Sequence, residues 1–285
     1  MNTKPEWLED ASLQQFFAAT RAAGGQARAV GGCVRDHLLG IEGADVDIAS
    51  TLTPEKNSAI AAQHGWKSIP TGIDHGTVTI VLPTRVIEVT TLRRDVTTDG
   101  RRATIAYTDN WQEDAARRDF TMNALSMDAD GKVYDFFNGR EDIAAQSLRF
   151  IGDAGTRIEE DGLRMLRYFR FLATHGKPPA DEAALAAITA KKALIEKLSG
   201  ERIANEMRKL LSASNPAYVL RLMVETGVAP LVFGGSIAPQ RMIRLHMLEN
   251  QSDYQCSVWA RAVALLSDCH PGLVPGSGSP TDSAL

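Results

Sequence analysis

From Pro5 to Ala23, Trp7, Leu8, Leu13, Phe16 and Phe17 fall near helical spacing, and Gly24-Gly25 ends the pattern, which predicts one amphipathic helix. Ala27 to Val30 is a short apolar run closed by Gly31-Gly32, with a helical stretch from Val34 to Leu39 behind it. DVDIAS (Asp45–Ser50) alternates polar and apolar residues, as a strand buried on one face should. Thr53-Pro54 opens a helix that runs to about His64-Gly65. HGTVTIVL (His75–Leu82) and RVIEVTTL (Arg85–Leu92) flank Pro83-Thr84 and predict a hairpin. TTDGRR (Thr97–Arg102) reads as a mobile loop, Asp109–Leu125 as a helix, and DADGK (Asp128–Lys132) as a turn between two short strands.

After Gly152 the β pattern stops. Helices are predicted over Asp161–Ala173, Asp181–Lys197, Glu201–Ser212, Pro216–Glu225, Pro239–Leu248 and Ser257–Ser267. The fold class is therefore α+β, with a mixed head over residues 1–150 and an all-helical remainder. His270–Leu285 is rich in Pro, Gly and Ser and predicts a disordered tail.

Composition narrows this further. At 285 residues, 44% apolar and 23% charged, the chain can bury a core without disulfides, and collagen-like or wholly disordered classes are excluded. Its three cysteines, Cys33, Cys256 and Cys269, form no CxxC pair, which argues against a disulfide framework or zinc ribbon and for a reducing compartment. No apolar run approaches the roughly 18–20 residues a membrane helix needs, and acidic Met1–Asp10 lacks the apolar stretch of a signal peptide. A soluble, cytoplasmic protein with no membrane partner is the expectation.

A net charge of −4 speaks against coating nucleic acid indiscriminately. The charge is polarised, however. Arg157–Lys209 holds eleven Lys and Arg against eight Asp and Glu, whereas residues 1–50 hold four against seven.

Asp45 and Asp47 leave one face of a predicted strand, and such a pair suits Mg²⁺ shared with substrate phosphates. Gly31-Gly32 at a strand-to-helix junction would let backbone N–H groups approach a phosphate, with Arg35 in the first turn to fork onto its oxygens. Neither a P-loop nor a dinucleotide G-x-G-x-x-G is present. Glu88 either faces solvent by alternation or closes a metal site with the aspartates. Asp161 and Arg164 stand three apart on a predicted helix, where the ordinary role is a solvated ion pair. The four tryptophans and Cys33 read as packing residues, the histidines show no ligand spacing, and Tyr168 and Phe169 should bury against the head.

GGCVRDHLLG (Gly31–Gly40) followed by DVD (Asp45–Asp47) resembles the first motif of the class II tRNA nucleotidyltransferase and bacterial poly(A) polymerase family. HGTVTIVL…IEVTTLRRDVTTDGRR (His75–Arg102), ARRDFTMNAL (Ala116–Leu125), YDFFNGREDI (Tyr134–Ile143), EEDGLRMLRYFRF (Glu159–Phe171) and GERIANEMRKLL (Gly200–Leu211) continue it in order, over roughly residues 24–250. The resemblance implies a nucleotidyltransferase head, a helical neck at 151–212 and a partial RNA-binding body at 213–269. It also implies that Asp45 and Asp47 hold two Mg²⁺ ions, with Glu88 as third carboxylate. Gly31, Gly32 and Arg35 then meet the triphosphate, Arg118 holds the nucleotide, and Asp119 accepts from the ribose 2′-hydroxyl. Asp161 and Arg164 template the base, and Arg167 and Arg170 contact the nucleotide.

Within the family, CCA addition to tRNA 3′ ends from CTP and ATP is the leading expectation, with tRNA and not DNA as partner. LRRDVTTDGRR (Leu92–Arg102) resembles the loop associated with switching to ATP, which disfavours CC-only addition. IEGADVD after Gly40 lacks the basic run of bacterial poly(A) polymerases. A-adding or polyadenylating activity is the alternative. A further one is a shortened copy that binds nucleotide or tRNA with poor catalysis, because CHPGLVPGSGSPTDSAL stands where family members continue with helices.

Overall fold

The computed structural model describes residues 4–43, 45–99, 102–214, 216–235, 237–251 and 256–266. The tail expected to be disordered, with Cys269, lies outside the described residues. A 3₁₀ turn at Glu6–Glu9 leads into α1 (Ala11–Ala22), β1 (Ala27–Val30), α2 (Gly32–Leu39), β2 (Asp47–Ser50) and α3 (Pro54–Gln63). Next come β3 (Lys67–Gly72), β4 (Thr77–Val81), β5 (Val86–Thr91), β6 (Arg93–Asp99) and β7 (Arg102–Tyr107). After α4 (Trp111–Ala116), strands β8 (Ser126–Met127) and β9 (Val133–Tyr134) complete the β structure. The rest is helical: α5 (Gly139–Ala145), α6 (Ala154–Glu160), α7 (Leu163–His175), α8 (Glu182–Lys191), α9 (Gly200–Leu211), α10 (Ala217–Glu225), α11 (Ala229–Phe233), α12 (Pro239–Gln251) and α13 (Val258–Leu266).

Seven strands form one mixed sheet in the order β3-β4-β5-β2-β1-β8-β9, and β6 with β7 makes a separate hairpin. All pairs are antiparallel except β2 with β5, whose parallel register sets Asp47 beside Glu88. The predicted β4–β5 hairpin is present, closed by the Leu82 N–H donating to the Arg85 carbonyl at 2.8 Å.

Four local expectations change. The single N-terminal helix breaks at Asp10, whose carboxylate accepts the Leu13 N–H at 2.9 Å and so starts a new helix. Burial would raise the Asp10 carboxyl, but hydrogen bonds from Ser12, Thr84, Leu13 and Arg85 hold it well below the usual range. The loop at Thr97–Arg102 is instead the end of the β6–β7 hairpin, built from the β-branched residues on either side of Gly100-Arg101, which themselves lie outside the described residues. The helix expected over Asp109–Leu125 stops at Ala116. Beyond it the Asp119 carboxylate accepts the Phe120 N–H at 2.9 Å, and the Thr121 N–H turns to the Arg149 carbonyl at 3.1 Å. The fourth change concerns Asp161, which is the extended residue closing α6 and not part of α7.

The core is continuous from the sheet into the helices. Phe120 and Phe150 come from the β-containing part, and Tyr168 of α7 stacks on Phe150 at 5.5 Å between ring centres. Tyr168 and Phe169 are fully buried, as expected. Burial pushes the Cys33 thiol up to about 12, so it remains a protonated packing group. Among the described residues no helix is long and apolar enough to cross a membrane.

Candidate active site

Strand β1 ends at Gly31, which turns the chain into α2 with φ +68° and ψ −119°. Only glycine takes that conformation cheaply, and a Cβ there would lie 2.9 Å from Arg118 Nη1. The Gly31 N–H donates to the Leu125 carbonyl at 3.1 Å, so the turn is pinned to the segment carrying Arg118 and Asp119. Arg35, one turn into α2, is buried and aimed by three bonds. Its Nη1 donates to Asn123 Oδ1 at 2.7 Å, and Nε and Nη2 reach Asp36 at 2.8 and 2.7 Å.

A cleft of about 400 Å³ opens here, and ten of the twelve predicted site residues line it: Gly31, Gly32, Arg35, Asp47, Arg118, Asp119, Asp161, Arg164, Arg167 and Arg170. Asn123 and Phe171 complete the wall. Five arginines face three aspartates, which favours an anionic ligand. Asp45 and Glu88 do not line the cleft. Glu88 is exposed in register with Asp47, and Asp45 is exposed two residues before it. β2 begins at Asp47, later than expected, yet burial still alternates from Asp45 to Ile48. Although the Asp47 residue is exposed by surface area, desolvation by the protein around its carboxyl, then Glu88 and Asp45, raise that carboxyl above its ordinary value, with Arg118 opposing.

Among the described residues no three His, Cys, Asp or Glu side chains are gathered to hold a metal unaided. The donor set nevertheless fits a hard divalent cation: Asp47 at the start of β2, Asp45 two residues before it and Glu88 beside it on β5 are three carboxylates, one of them destabilised by the other two.

Asp161 and Arg164, which the resemblance pairs as the base template, are not laid out as an i, i+3 row. Asp161 Oδ1 accepts the Leu163 N–H at 3.0 Å and starts α7, while Oδ2 accepts from Arg202 at 2.7 Å. Arg164 is tied to Glu160, to the Arg157 carbonyl at 2.9 Å and to the Arg117 carbonyl at 3.1 Å. Asp119 is buried and grasped by Arg167 (Nε to Oδ2, 2.7 Å) and by Asn123 Nδ2 at 3.1 Å. Burial would raise its carboxyl, but Arg167 and these hydrogen bonds hold it low and ionised. Arg170 donates to Glu206 at 2.6 Å and lies 4.1 Å from the centre of the Phe171 ring.

Asn123, Asp36, Arg202 and Glu206 were not singled out from the sequence. Asn123 lies 88 residues from Arg35, Glu206 lies 36 from Arg170 and Arg202 lies 41 from Asp161, so no spacing signals them. Asp114, which pairs with Arg117 and Arg118, was legible as an i, i+3 and i, i+4 partner.

Comparison with known proteins places these features in context. Residues 27–149 match the model described as the poly A polymerase head domain, and residues 181–236 match a probable RNA and SrmB-binding site of polymerase A. The mouse (Mus musculus) protein "CCA tRNA nucleotidyltransferase 1, mitochondrial" is 41% identical over 222 residues, 77% of this chain and 50% of that protein. A CCA-adding enzyme of Latilactobacillus sakei is 41% identical over 226 residues, 79% of this chain and 55% of the relative. The crystal structure of the Bacillus stearothermophilus CCA-adding enzyme in complex with CTP superposes with a TM-score of 0.73 at 36% identity, covering 82% of this chain and 56% of that one. The chain thus spans about half the length of the curated relatives it matches.

Proposed function

Because this chain belongs to the class II CCA-adding tRNA nucleotidyltransferase and bacterial poly(A) polymerase family, we propose that it adds CCA to tRNA 3′ ends from CTP and ATP, releasing pyrophosphate. The observation that carries the proposal is the convergence of β2, the Gly31 turn and the arginines of α7 on one cationic cleft, although the α7 arginines lie more than a hundred positions beyond the other two.

In this reading Gly31 and Gly32 bring backbone against the triphosphate, and the forks of Arg35 and Arg118 take its oxygens. Asp119 receives the ribose 2′-hydroxyl, and Arg167 keeps it ionised for that task. Asp161 and Arg164 exchange their present protein partners for the Watson–Crick edge of the base. Arg170, braced by Glu206, adds charge beside the nucleotide. Relatives of this family are divalent-metal enzymes, and here Asp45, Asp47 and Glu88 would hold two Mg²⁺ ions. Such ions stabilise the attacking 3′-oxygen and the leaving pyrophosphate. A head at 1–150, a neck at 151–212 and a partial body at 213–269 go with this reading; the head match ending at 149 supports the first boundary, whereas the second match, 181–236, crosses the one at 212. A cytoplasmic location is part of the same proposal, to be tested by fractionation, since the mouse relative is mitochondrial.

Incubation with tRNA lacking its 3′ CCA and each labelled nucleotide tests the activity. Incorporation of CMP and then AMP is expected; AMP alone would replace the reading by A-addition or polyadenylation. Asp161→Ala should lose base selection while retaining some transfer.

A further inference from the structure

Arg28 takes no part in the cleft. It lies on β1 opposite Ala49 and is 9% exposed, with its guanidinium 4.0 Å from the centre of the Trp111 ring and 3.6 Å from that of Tyr134. Both rings are braced from behind. Trp111 Nε1 donates to Gln26 Oε1 at 3.2 Å, and the Tyr134 hydroxyl donates to Asp128 Oδ2 at 3.0 Å. Between them the guanidinium has neither ion pair nor hydrogen bond among the described residues, and Nη1 is sealed from solvent with no acceptor. Asp128 is near enough to favour the charge, but its oxygens are taken by the Tyr134 hydroxyl and the N–H groups of Asp130 and Lys132.

Arginine cannot shed its charge in a protein, so Arg28 is a largely buried cation with Nη1 unanswered, while Nε and Nη2 keep access to solvent and have no protein acceptor among the described residues. Every arginine of the nucleotide cleft, by contrast, has an acceptor. Arg28 also lines a cavity of about 490 Å³, bounded by Arg21 at the end of α1, Gly25, Asp128 and Tyr134, that shares no residue with the cleft.

We propose that this cavity binds a phosphate oxyanion, with the Arg28 fork as its chief ligand and Arg21 as a second cation. A planar guanidinium held rigid between two rings matches the oxygens of a phosphate, and two arginines suit more negative charge than a single carboxylate carries. Lys132, 4.9 Å from the centre of the Tyr134 ring, adds to the positive field. The phosphate belongs either to an RNA backbone or to a free anion. Assignment to RNA rests on the proposed function; the site itself does not.

The test uses the whole chain as wild type, Arg28→Met and Arg21→Gln, with melting curves to verify folding. The Arg28 Nε–H resonance, identified by its absence in Arg28→Met, is followed during titration with inorganic phosphate. It should shift saturably, and Arg21→Gln, at an exposed position, should raise the midpoint about threefold. An unshifted resonance overturns the site. Binding of tRNA lacking its CCA end is then measured against salt. Loss of one phosphate contact should weaken binding and reduce the slope of log K against log salt by about 0.7–0.9 in Arg28→Met. A shifted resonance with unchanged tRNA affinity supports the site and assigns it to a free anion. If Arg28→Met does not fold, selective labelling of arginine and the Arg21→Gln midpoint still decide the matter. Nucleotide incorporation is assayed on the same samples. Incorporation with an unshifted resonance refutes only this site, and a shifted resonance without incorporation refutes only the proposed activity.

Discussion

Asp47 stands at the exposed cleft edge with its carboxyl raised by partial desolvation and by two neighbouring acids, while Arg118 opposes them. A carboxylate so placed gains most from a bound cation. Asp47→Asn keeps the shape and removes that charge, so nucleotide incorporation should fall on the order of 10³-fold while the melting temperature holds or rises. Gly31 is a residue-scale constraint of another kind. Gly31→Ala introduces a side chain where the backbone conformation disfavours one, and its Cβ meets Arg118 Nη1 at 2.9 Å. The strain is about 1–3 kcal/mol, so a lower unfolding midpoint is expected. Displacement of Arg118 should also raise KM for the nucleotide more than it lowers kcat. An unaltered KM would remove Arg118 from triphosphate binding.

At the scale of elements, helix junctions carry the polar architecture. α6 and α7 meet at Asp161, whose carboxylate opens α7 and accepts from Arg202 of α9. Three helices are thereby joined at the residue proposed to read the base. A second junction secures the C-terminal helices. Arg261 of α13 is buried and donates to both oxygens of Glu249 on α12, at 3.1 and 2.8 Å, and to the carbonyls of Leu211 and Ala213 behind α9, at 2.7 and 2.6 Å. The Leu211 carbonyl is an orphan of a helix end, satisfied here by a side chain, and the Ala213 carbonyl lies just beyond it. Arg261→Met strands a buried glutamate, a loss of roughly 3–5 kcal/mol when one partner of such a pair is removed. Hydrogen exchange should then show α12 and α13 opening before the sheet. Exchange that rises evenly across the molecule would contradict this.

For the whole molecule, the sheet and the helices are held together by charge as well as by the shared core. Arg167 reaches Asp119 at 2.5 Å, and His175 at the end of α7 reaches Asp36 of α2 at 3.4 Å. Burial lowers the His175 pKa, the Asp36 contact opposes this, and Arg35 and Arg170 reinforce it. Its other ring nitrogen lies 2.6 Å from the Thr174 hydroxyl. A depressed folded-state pKa means the unfolded chain binds the proton more readily. Stability is therefore complete above the unfolded value near 6.5 and is lost as pH falls toward the folded one. Urea midpoints should drop between pH 7.5 and 5.5, and His175→Gln should flatten that limb. Equal drops in both proteins would exclude His175 as the cause.

Legible in the chain were the hairpin β4–β5, the turn at Asp128–Lys132, the helical character after Gly152 and, with the help of the family resemblance, ten residues that line the cleft. These are legible because period, turn chemistry and motif order are local properties. The α+β class followed from them. The sequence did not reveal that Asp161 closes a helix instead of riding on one, or that residues 97–99 and 102 extend a hairpin. Nor did it mark Asn123, Glu206 and Arg202 as the groups that aim the cleft residues. Those outcomes depend on which donors meet which acceptors across tens of residues, and only the folded chain brings them within hydrogen-bonding distance. The uncompensated guanidinium of Arg28 is the clearest case. In the sequence it is one arginine in a short strand, and its burial between Trp111 and Tyr134 is decided by tertiary packing alone.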